Sequence, residues 1–373
     1  MSFLNTGHKL NIDIGTYCNL KCPNCMRTSI TKNYNKRNNT NLSQHPYLNT
    51  SSITLENIKK WVPIKFLSDR VTYVDFCGAL AEPTLNLQCI DLIEYFSPHV
   101  SVVSLSTNGD TKTVDWWKKL GKTANNLVVR FYLDSFNSGN SLYRQSNSSK
   151  IVENIKAYIL SGGKAILCHL VFKHNQDEIE DFKRFAKELN CNYRMMVARE
   201  FTTNNSTSYE VEHGGKTYLL EKNTLIPSNV PYRIALNSSD PAEYCSLVHE
   251  KMIRIFSNGL VMPCCHIEGQ LFETYEAFFF DETNTKPNLS RHPQFAKDFA
   301  LKIERQGGIK TLSLKFNTLE EIFNSNFYRT YLPLSWKLKS NEICQNCING
   351  TRLDIKDQNE YNNSEIIDIP KAG

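Results

Sequence analysis

The chain has 373 residues, 40% of them apolar, and its 43 Lys and Arg against 38 Asp and Glu leave a net charge of +5. That length and apolar share suffice for one large α/β domain with a smaller appendage, and the basic residues form no block or arm that would indicate nucleic acid as a partner. No stretch offers the ~20 apolar residues of a membrane helix or the basic n-region of an export signal, so its 12 cysteines read as metal ligands and reduced thiols of a cytoplasmic protein.

Lys9 to Ile14 alternates apolar with polar residues and reads as the first strand. Directly after it comes Tyr17-Cys18-Asn19-Leu20-Lys21-Cys22-Pro23-Asn24-Cys25. Three thiolates spaced C-x3-C-x2-C can hold three irons of a cubic 4Fe-4S cluster and leave the fourth iron open to a ligand. Residues 28 to 52 are polar and read as a lid over that loop or as unstructured chain. Further strands are expected at Val71 to Phe76, Ser101 to Ser106, Leu127 to Leu133, Ala165 to Phe172 and Tyr193 to Ala198, with helical periods between most of them. The clearest helix is Gln176 to Leu189, where Ile179, Phe182, Phe185, Ala186 and Leu189 share one apolar face. This alternation implies a parallel sheet with helices outside it, and in such sheets the chemistry gathers at the carboxyl ends of the strands.

Short motifs sit at those ends. After the second strand, Cys77-Gly78-Ala79-Leu80-Ala81-Glu82-Pro83 combines small residues that let backbone approach a ligand with Glu82, an acceptor suited to a cationic amine. Ser106-Thr107-Asn108-Gly109 follows the third strand, and the fourth ends at Asp134-Ser135 with Tyr143-Arg144 a short way on. Singly, each also reads as ordinary structure: a turn, a loop start, a cap or a surface cation. Together, in this order behind the cysteine loop, they resemble the radical S-adenosylmethionine (SAM) superfamily over residues 1 to 200.

The resemblance implies a partial (β/α)6 TIM-like barrel in which Cys18, Cys22 and Cys25 hold the catalytic 4Fe-4S cluster. In that family the open iron chelates SAM and electron transfer cleaves it to a 5'-deoxyadenosyl radical. It also implies SAM contacts from Gly78, Glu82, Ser106, Asn108, Asp134 and Arg144, and an electron donor such as a flavodoxin or ferredoxin. Two positions depart from the family pattern: Ala81 replaces the usual second glycine, and Asn24 stands where many members carry an aromatic residue near the adenine.

Residues 201 to 243 carry scattered Asn, Ser, Thr and Pro with weak periodicity and read as a linker or substrate-facing insertion. Met252 to Phe256 and Leu260 to Met262 are short β-prone runs joined by Asn258-Gly259, a hairpin signal that would bring Cys245 and Cys264 to one end of a small sheet. Leu319 to Tyr331 reads as a helix, Cys344-Gln345-Asn346-Cys347 supplies a close thiolate pair, and residues 351 to 373 form a polar tail. Two separated thiolate pairs suit tetrahedral zinc. The spacing of Cys245, Gly259 and Cys264 with the remote C-x2-C also resembles the twitch form of the SPASM extension. That resemblance implies a small α+β cluster-binding domain over residues 244 to 350, with Cys245, Cys264, Cys344 and Cys347 on one auxiliary 4Fe-4S cluster. Cys265 reads as a packed thiol, an alternate ligand or a hydrogen donor to a substrate radical. Cys77, Cys89, Cys168 and Cys191 read as small apolar side chains, and His169 and His174 as core or rim histidines.

Enzymes with this extension often modify peptides or proteins, which implies a peptide side chain or backbone as the substrate. Single-cluster relatives oxidise a cyclitol alcohol, so a small-molecule dehydrogenase is the competing expectation. The first strand begins almost at Met1, which leaves no room for an N-terminal leader-peptide-binding domain and weighs against the peptide reading. A non-catalytic metal-bound scaffold is disfavoured because the cluster loop and the SAM motifs occur together.

Overall fold

The computed structural model describes residues 7–138, 141–198, 201, 206–213, 215–225, 245–264, 267, 271, 274–290 and 292–338. The described residues form ten strands: β1 (His8–Ile12), β2 (Val71–Phe76), β3 (Val102–Thr107), β4 (Leu127–Tyr132), β5 (Lys164–Val171), β6 (Asn192–Val197), β7 (Ser208–His213), β8 (Lys216–Glu221), β9 (Met252–Ile255) and β10 (Val261–Met262). Eight of them make one mostly parallel sheet in the order β10-β9-β1-β2-β3-β4-β5-β6, which does not close because β10 and β6 are edges. The six strands expected from sequence are all present within two residues of their expected bounds. The α/β class follows from this sheet and its helices. No described helix is long and apolar enough to cross a membrane.

The chain divides into two compact units, one of Met1–Cys18, Asn24–Val103 and Asn237–Asn349, the other of Asn19–Pro23, Ser104–Leu236 and Gly350–Gly373. In the first, β1 pairs in parallel with β2 on one side and β9 on the other, so that Asp75, Asn11 and Arg254 stand in register across three strands. The alternation of β1 then sorts its residues: Leu10 and Ile12 are fully buried on one side, while Asn11 and Asp13 are buried on the other. The Asn258-Gly259 turn forms a hairpin, with Gly259 at φ +84° and Val261 opposite Ile255. Its first strand joins the principal sheet beside β1, where the sequence suggests a small sheet of its own.

Residues 28 to 52, expected as a lid or unstructured chain, open instead with helix α1 (Met26–Asn38). Its sequence hides it because its buried side chains are Arg27, Ile30 and Thr31, and two of the three are polar. Thr31 Oγ1 donates back to Arg27 O at 2.8 Å and accepts the His45 amide at 3.1 Å, satisfying groups that a periodicity search scores as exposed. Asn39 ends the helix in the left-handed region, its amide bonded to Asn35 O.

In the second unit, β4, β5 and β6 pair in parallel, with Tyr132 opposite Cys168 and Cys168 opposite Arg194. Helix α5 (Val114–Gly121) starts at Thr113, whose side chain caps the Trp116 amide, and α6 (Ser148–Leu160) starts at Asn147, which caps Lys150. Trp117, Phe131 and Tyr158 are fully or almost fully buried between them and β4, with ring centroids 5.0 Å and 5.7 Å apart for the Trp117–Phe131 and Phe131–Tyr158 pairs. Gly121 permits the close approach of these helices, since a Cβ there would lie 2.4 Å from Tyr158 O. The expected helix at Gln176 is a short 3-10 turn followed by α7 (Ile179–Glu188), which buries Ile179, Phe182, Phe185 and Ala186 as its pattern requires.

The region 201 to 243, expected as a linker or insertion, contains the antiparallel pair β7 and β8. Val211 and Leu220 pack into a cluster with Leu170, Phe172, Ala198 and Phe201. The signal was present: Tyr209 and Val211, then Tyr218 and Leu220, alternate on either side of Gly214-Gly215.

Candidate active site

In the first unit the chain leaves β1 and enters the cysteine loop under tight polar control. Thr16 N donates to Ser51 O at 2.9 Å, and Cys18 N donates to Asn49 Oδ1 at 3.2 Å. Cys18 and Cys25 are half-buried, and Asn24 beside them is exposed. Arg27, in the first turn of α1, is buried and donates through Nη1 to Thr16 O and Leu80 O, and through Nη2 to Asn49 Oδ1 at 3.0 Å. Burial pulls this guanidinium below its ordinary value, and Cys18 and Cys25 act against that pull.

The turn after β2 packs on the same loop. Gly78 is required there, because a Cβ would stand 2.4 Å from Ala81 O. Glu82 N donates to Tyr17 O at 2.7 Å, and its buried carboxylate accepts Thr84 Oγ1 at 2.7 Å and Thr84 N at 3.2 Å through Oε1. Beneath the turn, Asp13 Oδ1 accepts the Ala79 amide at 2.9 Å, and its Oδ2 accepts Arg254 Nη2 at 3.1 Å. Arg254 Nη1 donates to Asn11 Oδ1, and Asn11 Nδ2 donates to Asp75 Oδ2 at 2.9 Å. This buried network was not anticipated from sequence. Its one local signal was the placing of Asn11 and Asp13 two apart among the apolar Leu10, Ile12 and Ile14.

In the second unit, residues 19–23 of the cysteine loop meet the end of β3. Asn108 Nδ2 donates to Asn19 Oδ1 at 2.9 Å, and Asn19 Nδ2 donates to Asp110 O at 3.4 Å. Asn108 Oδ1 in turn accepts the Asp110 amide at 2.9 Å, which fixes the Asn108-Gly109 turn. Ser106 is buried, and its Oγ has no hydrogen-bond partner among the described residues.

Asp134 and Arg144 form a buried ion pair, Nε to Oδ1 at 3.0 Å, neither the cap nor the surface cation that each resembles alone. Arg144 lies over the rings of Tyr132 and Tyr143 at 4.8 Å and 5.8 Å. Burial opposes its charge, but Asp134 and Cys22 outweigh that effect and hold the proton on the guanidinium. Burial likewise raises Asp134 against the opposing pull of Arg144. Asp134 Oδ2 is left without a partner among the described residues. The following turn is pinned by Glu178, which accepts Ser135 Oγ at 2.6 Å and Phe136 N at 2.7 Å.

Cys245 and Cys264 are half-buried, and both act electrostatically on Tyr328, whose hydroxyl donates to Val261 O at 2.9 Å. Cys265, Cys344 and Cys347 lie outside the described residues. Cys89, Cys168 and Cys191 are buried packed thiols, as expected, and Cys77 is half-buried. His169 is a core histidine, its Nδ1 2.9 Å from Tyr193 Oη and its ring stacked on Phe182, while its Nε2 has no hydrogen-bond partner among the described residues.

No family model and no curated protein matches the chain. Solved structures similar to it include Streptococcus suis SuiB bound to S-adenosylmethionine, at 13% identity and a TM-score of 0.45, over 70% of this chain and 61% of that one. The chain thus spans less than two thirds of SuiB. Native anSMEcpe with bound AdoMet is similar at 16% identity and a TM-score of 0.49, over 95% of this chain and 97% of that one. The same protein with bound AdoMet and Cp18Cys peptide is similar at 15% identity and a TM-score of 0.48, over 96% and 97%.

Proposed function

We propose that the chain is a radical SAM enzyme that removes a hydrogen atom from a peptide or protein substrate. The reading is carried by two buried oxygens with no hydrogen-bond partner among the described residues, Ser106 Oγ and Asp134 Oδ2, at the ends of consecutive strands. Leaving such a group unsatisfied costs about 1–3 kcal/mol, a cost that a polar ligand removes when it binds. The donor chemistry suits the cofactors: Cys18, Cys22 and Cys25 offer thiols to iron, although the described residues do not gather three metal-ligating side chains into one group, and the two oxygens are suited to the hydroxyl and amine groups of SAM.

When bound, the cluster and SAM would supply the reductive cleavage that generates a 5'-deoxyadenosyl radical. The chain's own residues bind and orient. Glu82, aimed by Thr84, offers a carboxylate for the SAM ammonium; Gly78 lets the turn backbone approach; Asn108 and Arg144 hold the loop around Cys22 and, with Ser106 and Asp134, contact SAM. Residues 1–200 act as the SAM-binding core, 201–243 as an insertion facing substrate, and 244–350 as a region in which Cys245, Cys264, Cys344 and Cys347 ligate an auxiliary 4Fe-4S cluster. An electron donor such as a flavodoxin or ferredoxin completes the system.

Replacing Cys18, Cys22 and Cys25 together by Ala should abolish formation of 5'-deoxyadenosine from SAM under dithionite after anaerobic reconstitution. Product chromatography reads the outcome. Unchanged formation in the triple variant would remove the basis of the proposal.

A further inference from the structure

Arg27 carries no assigned role in the motifs, yet it joins more of the site's backbone than any motif residue does. Its Nη1 donates to Thr16 O, two residues before Cys18, and to Leu80 O, two residues before Glu82. The other nitrogen reaches Asn49 Oδ1, the same atom that accepts the Cys18 amide. Asn49 is itself held by Gln44 Oε1 at 3.0 Å through Nδ2. A rigid fork with several fixed donors can hold two loops at one spacing, which the single point charge of a lysine cannot do.

The acceptors are all neutral. A buried cation with no carboxylate partner among the described residues is costly, and Cys18 and Cys25 lie within its electrostatic reach. The charge and the cysteine loop therefore stabilise one another once the thiols are deprotonated by a metal.

We infer that Arg27 is a positioning residue that locks the cysteine loop to the turn carrying Glu82 and, by its fixed positive charge, raises the reduction potential of the cluster bound there. The inference rests on the radical SAM reading. Positive charge favours the more negative reduced state, so removing it lowers the potential.

Two substitutions separate the two parts of the inference. In the metal-free protein, Arg27→Lys should speed amide hydrogen exchange at residues 16–18 and 80–82 together, because the fork is lost. In the reconstituted protein it should weaken SAM binding about tenfold while leaving the midpoint potential near that of the wild type. Arg27→Met should weaken SAM binding similarly and also shift the potential downward in an EPR-monitored redox titration. Arg27→Gln replaces it if the Met variant does not fold. Unchanged exchange in both segments, or an unchanged potential in the uncharged variant, overturns the inference. A wild type that binds cluster and cleaves SAM beside such variants leaves the radical SAM reading standing; a wild type that does neither removes that reading itself.

Discussion

Ser106, next to last in β3, buries a hydroxyl that has no hydrogen-bond partner among the described residues, so the ligand-free protein tolerates a desolvation cost there. Ser106→Ala should therefore leave the ligand-free protein as stable as the wild type or up to about 1–3 kcal/mol more stable, because it removes the unsatisfied group. The same substitution should weaken SAM binding. Urea unfolding of the metal-free protein and equilibrium titration of the reconstituted protein test the two halves, and a loss of both together would assign the hydroxyl to structure. At this scale the sequence showed the residues that stand in short local motifs: Glu82, Ser106, Asn108 and Asp134. Arg27 and Arg254 were not legible, since each acquires its meaning from partners far along the chain: Leu80 O lies 53 residues from Arg27, and Asp13 lies 241 from Arg254.

β5 and α7 meet at His169, whose imidazole stacks on Phe182 with centroids 4.0 Å apart. Burial pushes its pKa down from 6.5 to about 3. The unfolded chain binds the proton more tightly than the folded one, so the stability contributed by neutral His169 is complete above pH 6.5 and is lost as pH falls toward 3. His169→Phe keeps an aromatic ring against Phe182 and removes the titration. It should flatten the acid limb of stability in that window, read as the urea midpoint against pH; an acid limb as steep as the wild type's would show that His169 does not control it. Element by element, strands with β-branched and aromatic alternation declared themselves, as did α7. Helix α1 did not, because a polar face can be buried when its side chains bond to one another and to nearby backbone, and hydropathy has no measure of that.

At the scale of the molecule, total iron content reports what the C-terminal thiols hold. If Cys245, Cys264, Cys344 and Cys347 ligate a 4Fe-4S cluster, the reconstituted wild type should carry about eight irons and the fourfold Ala variant about four, with little zinc in either. Substrate turnover should fail in that variant while uncoupled SAM cleavage partly survives, with circular dichroism as the folding control. About four irons and one tightly held zinc in the wild type would leave the second region without a redox role, since Zn²⁺ has no accessible redox change. The open α/β sheet was legible because its strands and motifs recur in step along the chain. The joining of β9 to β1 was not, because a hairpin signal specifies its own turn and says nothing about which edge it will extend.

That pairing has a consequence for synthesis on the ribosome. β1 emerges well before β9, and the edge it presents to β9, together with Asn11 and Asp13, waits for partners 241 to 243 residues behind. At about 5–20 residues per second this is a delay on the order of 10–50 s, during which the open edge of β1 and an acid destined for burial stay exposed to solvent. Completion of the sheet around β1 therefore waits for the arrival of β9 and Arg254.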